Sequence, residues 1–133
     1  MCVFCKIAKH EIPSKVVYED EMVLAFLDIQ PVTKGHTLII PKEHFANFAE
    51  IPRDVAAHIH EVAIQLTKRY EEVLKPAGFN LLSNMHEAAG QTMFHMHFHL
   101  IPRYDENDGL LLKFSHFSEA DCSAEEYRKL MQK

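Results

Sequence analysis

Apolar positions along the chain follow two periods. Val55, Ile59, Val62, Leu66, Tyr70 and Val73 recur at three- and four-residue steps, the repeat of one face of a long helix. Pro52 sits where that helix can begin, because the first helical position tolerates a missing N–H. Pro76 and Gly78 end it. The other apolar runs are short and rich in Val, Leu, Ile and aromatics. Lys15–Tyr18 and Met22–Ile29 flank Glu19-Asp20-Glu21 and read as a hairpin. His36–Ile40 forms a third strand, opened after Gly35 and stopped at Pro41. Phe79–Ser83 and Phe94–Ile101 supply two more, joined through the polar, small-residue loop Asn84–Gly90. Cys2 to about Ala8 suits a short helix, and Ser123 with Glu126 fits a capping box that opens another near the C-terminus. The predicted class is α+β: a mostly antiparallel five-stranded sheet, one long helix packed on it and short terminal helices.

Composition narrows this picture. A length of 133 residues suits one domain, 1–133, and an apolar fraction of 47% is enough for a core. The net charge of −5 argues against a nucleic-acid surface, which needs many Lys/Arg–phosphate contacts. A small anionic ligand stays compatible, held by local dipoles and hydrogen bonds. No run is long and apolar enough to span a membrane, and Lys6 interrupts the N-terminus too early for a signal-peptide core, so a cytoplasmic location is expected. Cys2, Cys5 and Cys122 form an odd set, which argues for metal binding or burial over disulfides. Cys122 has no partner in any pattern and reads as a packed thiol.

Ten histidines are the anomaly. His95, His97 and His99 alternate with Met96 and Phe98, so in a strand the three imidazoles share one face and Met96, Phe98 and Leu100 share the other. A solvated histidine face is one reading. A shared metal ion is a second, although ligands at i, i+2 and i+4 of a strand spread over roughly 13 Å, and only two of them could meet one ion. The third is catalysis, because a neutral imidazole is a good nucleophile near pH 7 and its neighbours can orient it or stabilise phosphate charge. His58 and His60 face different directions on the long helix and are assigned no role, while His10, His86 and His116 are expected to face solvent.

The segment from His95 to Ile101 resembles the signature of the histidine-triad family. Phe26-Leu27-Asp28-Ile29, the run Lys34 to Lys42, and Gly90-Gln91-Thr92 are similar to further blocks of that family in order and spacing, over about Cys2 to Tyr104. The resemblance implies a nucleotidyl hydrolase or transferase acting on a purine nucleotide at its α-phosphate, through a covalent nucleotidyl-histidine. It implies His97 as nucleophile, His99 as phosphate contact, His36 as a fourth histidine near the site, and His95 as the residue orienting His97. Asp28 would hold the ribose hydroxyls, although on its own it reads as a turn or cap carboxylate. Val3, Phe4, Ile7 and Phe26 would line the base pocket. Asn84, Gly90, Gln91 and Thr92 would surround the phosphate and leaving group.

His99, where a transferase branch carries Gln, points to hydrolysis. Ile101-Pro102-Arg103 is more like dinucleoside-polyphosphate hydrolases, whereas the Cys-containing N-terminus is more like bacterial members related to the phosphoramidases. Both substrate types therefore stay open. The same resemblance implies a structural zinc held by Cys2, Cys5, His44 and His95, and a homodimer. A nucleotide-binding regulatory module with incidental turnover, and a metal-binding structural protein, are the competing functions.

Overall fold

The computed structural model describes residues 2–116 and 123–132. Its elements are α1 (Val3–Ala8), β1 (Val16–Glu19), β2 (Val23–Leu27), β3 (Thr37–Pro41), α2 (Arg53–Val73), β4 (Gly78–Leu82), β5 (Phe98–Arg103) and α3 (Ala124–Met131). The strands form one antiparallel sheet in the order β1-β2-β3-β5-β4. This is the expected α+β arrangement. The packed thiol expected at Cys122 lies outside the described residues.

Both faces of the sheet are covered, which is why β2 reads as an unbroken apolar run. Val23, Ala25, Ile39, Met96 and Leu100 pack against Ile59, Val62, Ala63, Leu66 and Tyr70 of α2. On the opposite face, Leu24, Phe26, Leu38 and Ile40 pack against Phe4, Ile7 and Ala8 of α1. The helical stripe holds from Val55 to Tyr70, but Val73 at the end of α2 is half-exposed. The Tyr70 hydroxyl crosses the core to bond Thr37 Oγ1 at 2.7 Å, satisfying two buried polar atoms at once. At α3, Ser123 Oγ accepts from the Glu126 N–H at 3.2 Å, as the capping box requires. No described helix is long and apolar enough to cross a membrane.

Two strand boundaries differ from the sequence reading. The run predicted as Phe94–Ile101 enters the ladder only at Phe98 and continues to Arg103. Pairing with β3 stops at Ile39–Phe98 although β3 itself runs on to Pro41, because the chain before Phe98 leaves the ladder. The Met96 N–H bonds the Phe45 carbonyl instead, at 2.6 Å. Beyond Ile101, Pro102 is tolerated because β3 pairing stops at Leu100, so only the β4 side of β5 is bonded there. The loop Asn84–Gly90 contains a turn of 3-10 helix at Glu87–Ala89.

Candidate functional site

The alternation of histidine and apolar residues survives although half of it lies outside the ladder. Met96, Phe98 and Leu100 join the core beneath α2, while the histidines lie on the α1 side. His97 and His99 stand with ring centroids 4.9 Å apart, and Phe4 meets the edge of His97 at 5.1 Å.

Hydrogen bonds fix which nitrogen of each ring carries the proton. His97 Nδ1 lies 2.8 Å from the His95 carbonyl oxygen, which can only accept, so Nδ1 holds the proton and Nε2 keeps its lone pair. The Val32 N–H donates to His36 Nδ1 at 3.2 Å. The neutral His36 ring therefore carries its proton on Nε2 and donates to His99 Nδ1 at 2.9 Å, which leaves an N–H at His99 Nε2. Burial lowers the pKa of His97 and of His36. For His99, burial together with the nearby His97 and His36 pushes it down to about 4. All three rings are neutral near pH 7, one presenting a lone pair and one a donor. That pairing suits attack on phosphorus with stabilisation of a phosphate oxygen.

Two cavities meet at these rings. One, of about 370 Å³, is lined by Val3, Phe4, Ile7, Phe26, Asp28, Thr92, His97 and His99, with Ile29, Gln30, Leu38 and Met93 completing it. Its apolar walls and few polar groups are typical of a small-molecule pocket. The second, of about 240 Å³, is lined by Asn84, Gly90, Thr92, His36 and His99 among Val32, Leu82, Ile101 and Leu110. Asp28 stands in the first cavity and also serves its turn: Oδ1 accepts the Gln30 N–H at 2.9 Å, and Oδ2 is 3.6 Å from His36 Nε2.

Gln91 differs from its neighbours. It is 2% exposed, and it lines neither cavity. Its Oε1 accepts the His86 N–H at 2.8 Å, and its Nε2 donates to the carbonyls of Ala46 at 2.7 Å and Met93 at 3.1 Å. The side-chain amide is spent on backbone and shapes the loop behind the cavities instead of opening into either of them. Gly90 adopts φ +98°, a left-handed conformation that glycine takes without steric cost.

A third group of side chains forms beside the first cavity. Cys2, Cys5, His44 and His95 bring one ligand atom each to within 4.8 Å of one another. Cys2 caps α1, its Sγ accepting the Cys5 N–H at 3.3 Å. His95 Nδ1 is 3.3 Å from Cys2 Sγ, 3.5 Å from Cys5 Sγ and 3.2 Å from His44 Nδ1. Tetrahedral zinc with ordinary bond lengths would place two nitrogens about 3.3 Å apart and nitrogen and sulfur about 3.6 Å apart. The observed edges fit. His95 Nε2 bonds the Pro41 carbonyl at 2.8 Å, so its proton sits there and Nδ1 turns a lone pair toward the cluster. This set can hold a metal ion.

Several contributors have no signal in the sequence. Ser83 Oγ donates to the His97 carbonyl at 2.7 Å from the neighbouring strand. His58, assigned no role, pairs with Asp20 at 2.6 Å and ties α2 to the β1–β2 turn. His10, His86 and His116 are exposed, and His10 pairs with Glu19 at 2.7 Å.

The HIT domain family matches this chain over residues 9–106. An uncharacterized HIT-like protein of Methanocaldococcus jannaschii is 51% identical over 124 residues, which are 91% of this chain and 92% of that protein. The adenosine 5′-monophosphoramidase of Saccharomyces cerevisiae is 44% identical over 111 residues, 84% of this chain and 68% of that protein. Among solved structures, a HIT family protein from Bacillus anthracis superposes with a TM-score of 0.89 at 46% identity, covering 97% of this chain and 91% of that one.

Proposed function

The chain belongs to the HIT domain family, and on that premise we propose that it hydrolyses nucleoside 5′-phosphate derivatives at the α-phosphate, through a covalent nucleotidyl-His97. The observation that carries this reading is the bond from His97 Nδ1 to the His95 carbonyl at 2.8 Å, which leaves Nε2 as a buried, unprotonated nucleophile. A purine base fits the apolar cavity between Phe4, Ile7 and Phe26, with the ribose hydroxyls on Asp28. The His99 Nε2–H donates to a phosphate oxygen, while Asn84 and Thr92 flank the leaving group. His97 Nε2 forms a bond to phosphorus as the bond to the leaving group breaks. Water then attacks the same phosphorus, frees the imidazole and releases a nucleoside monophosphate.

Adenosine phosphoramidate is the favoured substrate within this proposal. The phosphoramidase relatives support it. We further assign zinc to Cys2, Cys5, His44 and His95, where its contribution is to cross-link α1, the segment after β3 and the approach to β5. Assembly as a homodimer belongs to the same proposal and is tested by sedimentation equilibrium.

The deciding experiment is rapid quench with adenosine phosphoramidate labelled at the α-phosphate, alongside a dinucleoside polyphosphate. Acid-labile label on His97 and release of adenosine monophosphate are expected. Nucleotide binding with no label and no turnover of either compound would leave a binding module in its place.

A further inference from the structure

Arg103 lines neither cavity at the triad, yet it is among the most heavily bonded side chains. Its Nε lies 2.9 Å from Asp108 Oδ2, and one Nη2 lies 2.9 Å from Asp108 Oδ1 and 2.9 Å from the Leu110 carbonyl. The other terminal nitrogen reaches Asn80 Oδ1 at 2.8 Å. Asp108 also accepts the Tyr104 N–H at 3.1 Å, and its side chain is 6% exposed. A forked guanidinium–carboxylate pair with this many partners has one geometry. It therefore fixes the whole 104–110 turn.

That turn is pressed against the segment before β3 at two points. The Gly109 N–H donates to the Val32 carbonyl at 2.8 Å, and the Tyr104 hydroxyl donates to the Lys34 carbonyl at 2.7 Å. At Gly109 there is no room for a side chain, because a Cβ would collide with the Val32 carbonyl oxygen. Val32 is the residue whose N–H donates to His36 Nδ1, and this bond, together with the Asp28 carboxylate 3.6 Å from His36 Nε2, keeps the His36 proton on Nε2, facing His99.

We propose that Arg103 and Asp108 are positioning residues that, through Gly109 and Val32, set the proton arrangement of the His36–His99 pair. The path is continuous: the Arg103–Asp108 lock, the 104–110 turn, the Gly109–Val32 bond, the Val32–His36 bond, the His36–His99 bond. If Val32 moves, His36 loses the donor on Nδ1 and can carry its proton on either nitrogen. In the second arrangement His36 Nε2 becomes an acceptor, and His99 must present Nδ1–H to it and lose the donor at Nε2. The catalytic part of this inference rests on the hydrolase reading; the tautomer part does not.

The test is histidine ¹⁵N NMR of the full chain, wild type against Asp108→Asn, with Gly109→Ala as a second variant that disturbs the Gly109–Val32 contact and keeps both side chains of the lock. In wild type, His36 Nδ1 and His99 Nδ1 should both read as unprotonated. Both variants should show mixed tautomers at His36 and His99. Their kcat on adenosine phosphoramidate should fall about ten- to a hundredfold with KM little changed, the size expected for a sub-ångström misplacement. His58→Gln serves as the control, since it breaks the remote Asp20 pair and should lower Tm with no change in those signals. Unchanged His36 and His99 signals in whichever variant folds overturn the proposal, as does an equal change in the control. Absence of wild-type turnover would defeat the hydrolase reading and leave the tautomer result to decide this one.

Discussion

His95 and His97 are joined through the backbone: the His95 carbonyl accepts the His97 Nδ1–H at 2.8 Å, while the His95 ring turns its own Nδ1 into the thiol cluster. One residue thus reaches the thiol cluster with its side chain and holds the His97 ring with its main chain.

Metal content and site geometry are accordingly expected to change together. Purified protein should carry about one zinc per chain, held tetrahedrally. Cys5→Ser should lower both zinc content and Tm, because the binding free energy of a structural metal is part of the folding free energy. Elemental analysis with calorimetry checks this, and full zinc content in a Cys5→Ser, His44→Ala double variant would sink the assignment.

His97→Ala should lose several orders of magnitude in kcat and keep nucleotide affinity, since Asp28 and the apolar cavity remain. Single-turnover kinetics and equilibrium binding measure the two separately. Turnover near the wild-type rate in His97→Ala would remove it as the nucleophile.

Asp28→Asn should weaken adenosine monophosphate binding by about tenfold, because a charged acceptor to the ribose hydroxyls is replaced by a neutral one. A 2′,3′-dideoxy nucleotide should be nearly indifferent to the change. Equal losses for both ligands in calorimetric titration would assign Asp28 to its turn, where it holds the Gln30 N–H.

Acid should affect stability in a defined window. The His99 pKa falls from an ordinary 6.5 to about 4 on folding, so the folded state binds fewer protons than the unfolded one between those values. Stability from this neutral, buried ring is complete above pH 6.5 and is lost as the pH falls from there through about 4. The informative comparison is wild type with His99→Gln, which isolates this ring. The difference between their urea midpoints should shrink as the pH falls through the window, and a pH-independent difference would contradict it.

The strand alternation was legible because a two-residue period places side chains on opposite faces whatever the rest of the fold does, and Met96, Phe98 and Leu100 lie in the core as that period requires. The stripe of α2 was legible for the same reason. The start of β5 was not, since the Met96 N–H leaves the ladder for the Phe45 carbonyl, a contact more than fifty residues away. Gln91 looked like its polar neighbours, and only the position of the Ala46 carbonyl turns its amide inward. The service of Arg103 was invisible too, because it runs through Gly109 and Val32, neither of which carries a distinguishing side chain.

Helix α1 has six residues, too few to persist alone in water. It is held by Phe4 and Ile7 in the core and by Cys2 and Cys5 in the cluster, while Val3, Phe4 and Ile7 also wall the larger cavity. If the cluster is emptied, this segment becomes the local unit with the least to hold it, and it should open while the sheet stays closed. Amide exchange in α1 then reports occupancy of the cluster directly, and the wall of the larger cavity would come and go at the same rate.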